Sequence, residues 1–214
     1  MKVDLINYYG NDLTIVNSAR VSFNKKSENI DKKDIKLIKY LIDNKHISTL
    51  EHSGFTFRIS CPIYIARQFM RHRSHAFNEK SGRYVEFDFE FFTPEEFRLQ
   101  DEDLKQGSKE DLHNKLNQEK IKEIYNNSLE ASYNVYKKLL KLGVCREQAR
   151  GLLPLSLMTE FYVTLNLRSF YHFMEARLHK HSQKEIRNLA EEMFSQVENL
   201  EGNPFKYSLQ SFNL

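Results

Sequence analysis

Glycine is scarce in this chain: seven occur in 214 positions, and no two lie closer than eight residues apart. Folds that cradle nucleotide phosphates on backbone, through a G-x-G-x-x-G turn or a P-loop, need glycines clustered where the main chain approaches the anion. Both are excluded, so any nucleotide bound here is held mainly by side chains. The two cysteines, Cys61 and Cys145, are too few for a disulfide framework or a cysteine-rich zinc site and fit a reduced, intracellular protein. The length is that of one domain with a sizeable core. The opening Met1-Lys2-Val3-Asp4 lacks an apolar leader, and no apolar run is long enough to span a bilayer. A soluble, cytoplasmic protein without a membrane partner is expected.

Charge is nearly balanced, with 32 basic against 29 acidic residues, which argues against an electrostatic nucleic-acid binder. Its distribution is more informative. Between His52 and Tyr84 the bases Arg58, Arg67, Arg71, Arg73, Lys80 and Arg83 face one acid, Glu79, whereas Glu86 to Asp103 is strongly acidic. Arg146, Arg150, Arg168 and Arg177 form a second arginine-rich window that contains no lysine. Arginine presents a planar fork that matches phosphate or carboxylate, while lysine serves as a solubiliser. The segregation points to a built anion site.

Periodicity predicts a helix over Asp31–Asn44, with Asp31 and Asp34 at its positive end, and a strand over Gly54–Ser60, where Phe55, Phe57 and Ile59 alternate with polar residues. A helix from Pro62 ends just before Arg71. A second strand is expected at Tyr84–Phe92, from the alternation of Val85, Phe87, Phe89 and Phe91 with acids. Residues from about 94 to 118 read as a polar, mobile excursion. A long helix from about Ile121 closes at Gly143, and a short helix runs to Pro154. A third strand covers Leu155–Leu167 and a helix Arg168–Leu178, and a capping box at Ser182–Glu185 opens the last helix. The fold class is α+β, a mainly antiparallel sheet flanked by helices in a single domain spanning 1–214.

The chemistry concentrates in Arg71-His72-Arg73-Ser74-His75-Ala76-Phe77-Asn78-Glu79-Lys80-Ser81-Gly82-Arg83-Tyr84, between a helix end and a strand start. Each of these residues alone fits a solvated loop, but loops anchored this way are where binding residues collect, and Ser81 and Gly82 offer backbone amides to an anion. Ser81 beside His and Glu invites a triad reading. No G-x-S-x-G elbow accompanies it, so it reads as a phosphate ligand. Neither cysteine sits in a nucleophile-like setting.

This stretch resembles the signature of the flavin-dependent thymidylate synthases, Arg-His-Arg, seven residues, then Ser, with Asn78, Glu79, Arg83 and Tyr84 also in place. Further matching pieces are Ala19–Phe23, His46-Ile47-Ser48 with Glu51-His52, Ala66-Arg67-Gln68, Glu147–Arg150, and Asn166–Ser169 leading to Arg177 and His181. Ala76 and Thr49 depart from the family's usual serine and proline. The resemblance implies methylation of dUMP to dTMP with FAD as redox carrier, NADPH as reductant and methylenetetrahydrofolate as carbon donor, without an enzyme cysteine on the uracil. It puts Arg177, Ser81 and His46 at the reacting centre, with Arg177 on the uracil edge and His46 near the flavin and folate face. It assigns Gln68, Arg71, Glu79, Ser81, Gly82, Arg83, Arg150 and Arg177 to substrate. It assigns Ser22, Ser48, Glu51, Arg71, His72, Arg73, Asn166, His172 and His181 to the flavin, and it implies no metal and a homotetramer with sites shared between subunits. Read by themselves, Asn166 equally fits a strand terminator and His172 a helix-packing residue.

Two other readings compete. A metal-dependent phosphohydrolase would use His72 and His75 or His179 and His181, but the chain has neither a His-Asp pair nor His-Glu-x-x-His. An RNA-binding module would stack bases on Tyr8, Tyr9, Phe77 and Tyr84, against which the near-neutral charge stands.

Overall fold

A computed structural model describes residues 1–103, 105–109 and 117–214. Its contacts divide the chain into two compact units, one of residues 1–60, 68–78 and 161–214, the other of residues 61–67 and 79–160. The elements are, in order, β1 (Lys2–Tyr9), α1 (Asp12–Arg20), α2 (Lys32–Asp43), β2 (Gly54–Pro62), α3 (Ile63–Phe69), β3 (Ala76–Glu79), β4 (Leu99–Gln100), β5 (Ser108–Lys109), α4 (Gln118–Lys141), α5 (Arg146–Ala149), β6 (Met158–Asn166), α6 (Leu167–Arg177), α7 (Lys184–Glu198) and α8 (Lys206–Ser211). The four-stranded sheet runs β1-β2-β6-β3, and β4 and β5 form a separate two-stranded ribbon. The α+β class with its mainly antiparallel sheet therefore holds.

In the first unit the period-two patterns do what they predict. Phe55, Phe57 and Ile59 of β2 and Phe161, Val163 and Leu165 of β6 are buried. They meet Phe170, Phe173 and Met174 of α6 and Ile186, Leu189, Met193 and Val197 of α7, all buried as well. Phe55 lies 4.9 Å from both Phe170 and Phe205 between ring centroids. Each such side chain contributes about 1.5–3 kcal/mol by leaving water. β1 pairs antiparallel with β2, Lys2 opposite Ser60 and Tyr9 opposite Gly54, with a bulge between Leu5 and Asn7. The free edge of β1 is closed by a side chain: Gln196 of α7 accepts from the Leu5 amide and donates to the Val3 carbonyl, both at 2.7 Å. Two of the edge strand's pairing groups are thereby taken.

The helix at Asp31 begins as expected and with more detail than charge alone predicts. Asp31 accepts from the Asp34 amide at 2.8 Å while the Asp34 carboxylate takes the Asp31 amide at 3.3 Å, a capping box. By contrast, the box expected at Ser182–Glu185 does not form. Ser182 Oγ donates instead to the Ala176 carbonyl at 2.8 Å, and Gln183 stands at the N-cap. Nor is α7 the last helix, since α8 follows, docked by buried Asp12, whose carboxylate accepts from the Tyr207 amide at 2.8 Å and the Ser208 amide at 3.1 Å.

In the second unit the strand expected at Tyr84–Phe92 is absent. Its aromatic residues pack on a helix instead of lining a sheet. The Phe87 amide donates to Tyr136 Oη and Tyr133 Oη donates to the Phe87 carbonyl, both at 3.2 Å, while Phe89 lies 5.3 Å from Tyr133. Only Phe91 forms a bridge, to Leu157. Phe87 is thus buried within its own chain. The third strand starts at Met158 rather than Leu155, because the Leu155 and Leu157 carbonyls accept the first amides of α3, from Tyr64 and Ile63 at 3.0 Å. α4 ends as expected, with Gly143 at a φ of +87° that favours glycine. Within the polar excursion, β4 and β5 are described, while residue 104 and residues 110–116 lie outside the described residues.

Candidate functional site

The expected substrate residues of the second unit gather at one turn. β3 ends at Glu79, whose Oε1 accepts from Thr159 Oγ1 at 2.7 Å, and the next amide, Lys80, donates to the Glu160 carbonyl at 2.8 Å. The chain then reverses: the Ser81 carbonyl accepts from the Tyr84 and Val85 amides, and Ser81 Oγ accepts from the Arg83 amide at 3.3 Å. Gly82 is buried, and a Cβ there would come within 2.2 Å of the Phe87 ring and 3.1 Å of Arg150 Cδ. The sequence needs glycine here because the turn is pressed onto Phe87. The same proximity places the Arg150 stem beside the turn that carries Arg83. Arg83 projects into solvent, where its Nε pairs with Glu147 Oε2 at 3.3 Å. A groove of about 460 Å³ opens beside Arg83 and Tyr84, walled by the Gly143–Glu147 turn. The result is a shallow, exposed turn flanked by the Arg83 and Arg150 side chains.

Cys61, at the end of β2, is fully buried, and burial followed by the Glu79 charge pushes its thiol up to about 12. It stays protonated and unreactive at neutral pH. Cys145 is exposed and donates weakly to Gln148 Oε1 at 3.4 Å.

In the first unit a second cluster surrounds Arg177. After α3 the chain turns through the His72 amide, which donates to the Phe69 carbonyl at 3.0 Å. Arg177, at the end of α6, donates from Nε to His72 Nε2 at 3.0 Å. The His72 ring stands edge-on to Phe173 at 4.8 Å and parallel to His75 at 5.8 Å, and Phe69 and Phe173 below are fully buried. Burial first, then the electrostatic effects of Arg177 and His172, push the His72 pKa down to about 4. His75 falls to about 4 as well, through burial and His72, against a hydrogen bond to the Ser169 backbone. Burial also lowers Arg177. Both imidazoles are neutral around pH 7 in this pocket, and the one cation in contact with His72 is a guanidinium.

The other expected residues of this unit are dispersed over its surface. Arg71, Arg73, His172 and His181 are exposed, so the packing alternative for His172 fails. Asn166 does terminate β6, capping α6 by accepting from the Ser169 amide at 2.9 Å. Glu51 is ion-paired to Arg168. Gln68 donates to Gln183. Ser22 and Ser48 occupy exposed short 3₁₀ turns, Ser22 between the exposed Val21 and Phe23, and His46 stacks on Tyr40 at 6.1 Å.

The structure adds contacts that sequence reasoning did not give: Glu147 on Arg83, Thr159 on Glu79, Arg168 on Glu51, and a buried His75 whose Nδ1 has no partner. Glu147 was legible in part, one helical turn before Arg150. The other pairings join positions far apart in the chain and leave no local signal. Among the described residues no group of three His, Cys, Asp or Glu converges as metal ligands would, and no helix is long and apolar enough to cross a membrane.

Known proteins resemble this chain over most of its length. Residues 4–200 match the family described as Thymidylate synthase complementing protein. A flavin-dependent thymidylate synthase of Thermosipho melanesiensis is 44% identical over 87% of this chain and 80% of its own length, and one of Treponema denticola is 41% identical over 90% and 73%. Among solved structures, a UMP/dUMP methylase from Streptomyces cacaoi bound to 5-Br dUMP superposes with a TM-score of 0.87 at 29% identity, covering 99% of this chain and 94% of the other. The RNA-binding and hydrolase readings have no counterpart in these findings. With a family match over residues 4–200 and relatives more than 40% identical over most of this chain, the chain belongs to the flavin-dependent thymidylate synthases.

Proposed function

We propose that this protein converts dUMP to dTMP, with a bound FAD, a reduced nicotinamide nucleotide, NADPH, as electron source, and methylenetetrahydrofolate as carbon donor. The observation that carries the substrate half is the cradle at Ser81–Arg83. The turn is held by Glu79–Thr159 and Lys80–Glu160, a Cβ at Gly82 has no room, and Arg83 and Arg150 flank it. Such a turn suits the phosphate of a mononucleotide, bound by side-chain cations and backbone amides without a glycine loop.

Arg177 then addresses the base. Carbon transfer to the uracil 5-position builds enolate-like charge on the ring, and a half-buried guanidinium stabilises that charge as it develops. The unreactive Cys61 fits a route that needs no thiolate.

The donor set of the first unit fits an anionic dinucleotide. Arg71, Arg73, His172 and His181, with Ser22, Ser48 and Glu51, supply cations and hydrogen-bond donors and acceptors on exposed ground, and half-buried His72 and Asn166 add to the set. Once reduced by the nicotinamide nucleotide, a bound flavin would supply the two electrons that take the transferred carbon from the methylene to the methyl level, returning to FAD. The exposure of these residues supports a homotetramer whose sites draw on more than one copy.

The test is direct. A purified preparation should carry a flavin absorbance, and after reduction it should form dTMP from dUMP and methylenetetrahydrofolate. A colourless protein that takes up no added FAD sinks the reading, and a monomeric mass by light scattering at micromolar concentration sinks the shared site.

A further inference from the structure

The Arg177–His72 contact defines more than proximity. Arg177 carries its charge at every accessible pH and has only donors, so a hydrogen bond from its Nε at 3.0 Å needs a lone pair on the imidazole. His72 is therefore the neutral tautomer with its proton on Nδ1 and Nε2 bare. Packing fixes the ring in that attitude. Its edge meets Phe173, its face lies parallel to His75 with an interplanar angle of 10°, and beneath them Phe69 and Phe173 are 4.3 Å apart. His75 is itself bonded to the Ser169 backbone. With Nε taken by His72, the guanidinium keeps one free edge, the two parallel N–H groups of Nη1 and Nη2 that face away from the imidazole.

We infer that His72 is a positioning residue for the substrate: its bare Nε2 takes the Nε–H of Arg177 and turns the Nη edge of the guanidinium toward the pyrimidine. This rests on the reading that Arg177 faces uracil. It gives the central residue of Arg-His-Arg a task separate from flavin binding, and a lysine at 177 would lose both the fork and the contact that orients it.

The test compares His72→Ala, His72→Asn and His72→Gln in the flavin-loaded protein, alone and combined with Arg177→Ala. Three quantities are read: dUMP affinity by calorimetry, flavin content by absorbance, and melting temperature. Glutamine can place an acceptor near the position of Nε2, whereas asparagine ends short of it. His72→Ala and His72→Asn should each weaken dUMP binding about tenfold, the scale of one hydrogen bond to a charged group. His72→Gln should stay within about threefold of the parent, and in the Arg177→Ala background His72→Ala should cost almost nothing further in dUMP affinity.

The inference is overturned if the His72→Ala loss persists at full size in the Arg177→Ala background, or if glutamine binds no better than asparagine. Loss of flavin with unchanged dUMP affinity overturns it as well. Failure of the parent protein to bind dUMP instead overturns the functional reading beneath it. Even then, melting temperatures decide the contact itself, since losses at 72 and 177 that simply add would show the two side chains to be uncoupled.

Discussion

Arg177 and Arg83 are chemically the same side chain in opposite surroundings. Arg177 is half-buried on an aromatic floor, donates to a neutral imidazole, and is pushed down by desolvation. Arg83 stands in water, its side chain 59% exposed, and pairs with an equally exposed Glu147. A charge in a poorly hydrated corner acts strongly on whatever approaches, because little solvent screens it. A charge in water acts weakly and needs company, which Arg150 beside the turn provides. The first arrangement suits a fleeting charge on a reacting ring, and the second suits a permanent phosphate dianion that must bind and leave.

The largest expected effect lies at the buried corner. Arg177→Lys keeps the cation but loses the planar fork, and should cost about 2–4 kcal/mol of transition-state stabilisation, with flavin content near normal. Turnover by stopped-flow or steady-state assay checks this. Full turnover with lysine would erase the contrast between the two arginines and detach Arg177 from the uracil.

At the exposed turn the expectation is a binding effect. Arg83→Ala and Ser81→Ala should raise the KM for dUMP by the equivalent of about 1.5–3 kcal/mol, Arg83→Ala the more, while leaving substantial turnover at saturation. Added salt should weaken dUMP binding to the parent, because the turn is open to counterions. A Ser81→Ala protein that binds dUMP normally yet does not turn over would restore a nucleophile at Ser81.

Legibility in the sequence follows the same division between local and distant causes. The strands β2 and β6 and the helices α2, α3, α4 and α6 were readable because each buries one face and its period shows it. β1 and α1 were not anticipated: β1 is exposed along much of its length and is finished by Gln196, nearly two hundred residues away. The Tyr84–Phe92 alternation is a true amphipathic pattern whose partner is a helix, and period alone does not say what a face packs against. Within the candidate site, the signature residues were recognisable as a set. That His72 spends its Nε2 on Arg177 was not, because α3 and α6 meet only in the fold.

The pH dependence of stability sharpens the comparison at the buried corner. His72 and His75 fall to about 4 in the folded state, below the ordinary histidine value near 6.5, so between these limits the unfolded chain binds protons that the folded chain does not. Stability from these groups is fully present above about pH 6.5 and is lost as pH falls toward 4. Discounting for partial exposure, the loss is about 1–2 kcal/mol per histidine. Urea midpoints between pH 7 and 4.5 should fall, and His72→Gln should flatten the slope. Asp12, raised by burial, works in the opposite sense, gaining stability as its carboxyl protonates, so the difference between parent and variant is the quantity that isolates the histidine.

The smallest expected effect is at Glu147. An exposed ion pair contributes about 0–1 kcal/mol, so Glu147→Gln should leave the melting temperature nearly unchanged. Its consequence for dUMP has a sign that geometry alone does not set, because the carboxylate both steadies Arg83 and competes with phosphate for it. Exposure decides. With both side chains more than half in water, steadying is weak, while a full negative charge 3.3 Å from Nε still repels an approaching dianion. Glu147→Gln should therefore lower the KM for dUMP modestly, about two- to threefold, and most clearly at low salt, where screening is least. In an Arg83→Ala background the gain should shrink, since only repulsion at longer range remains. A KM that rises on Glu147→Gln would mean that the carboxylate orients Arg83 as His72 orients Arg177, and the two arginines would then share one design in two different solvents.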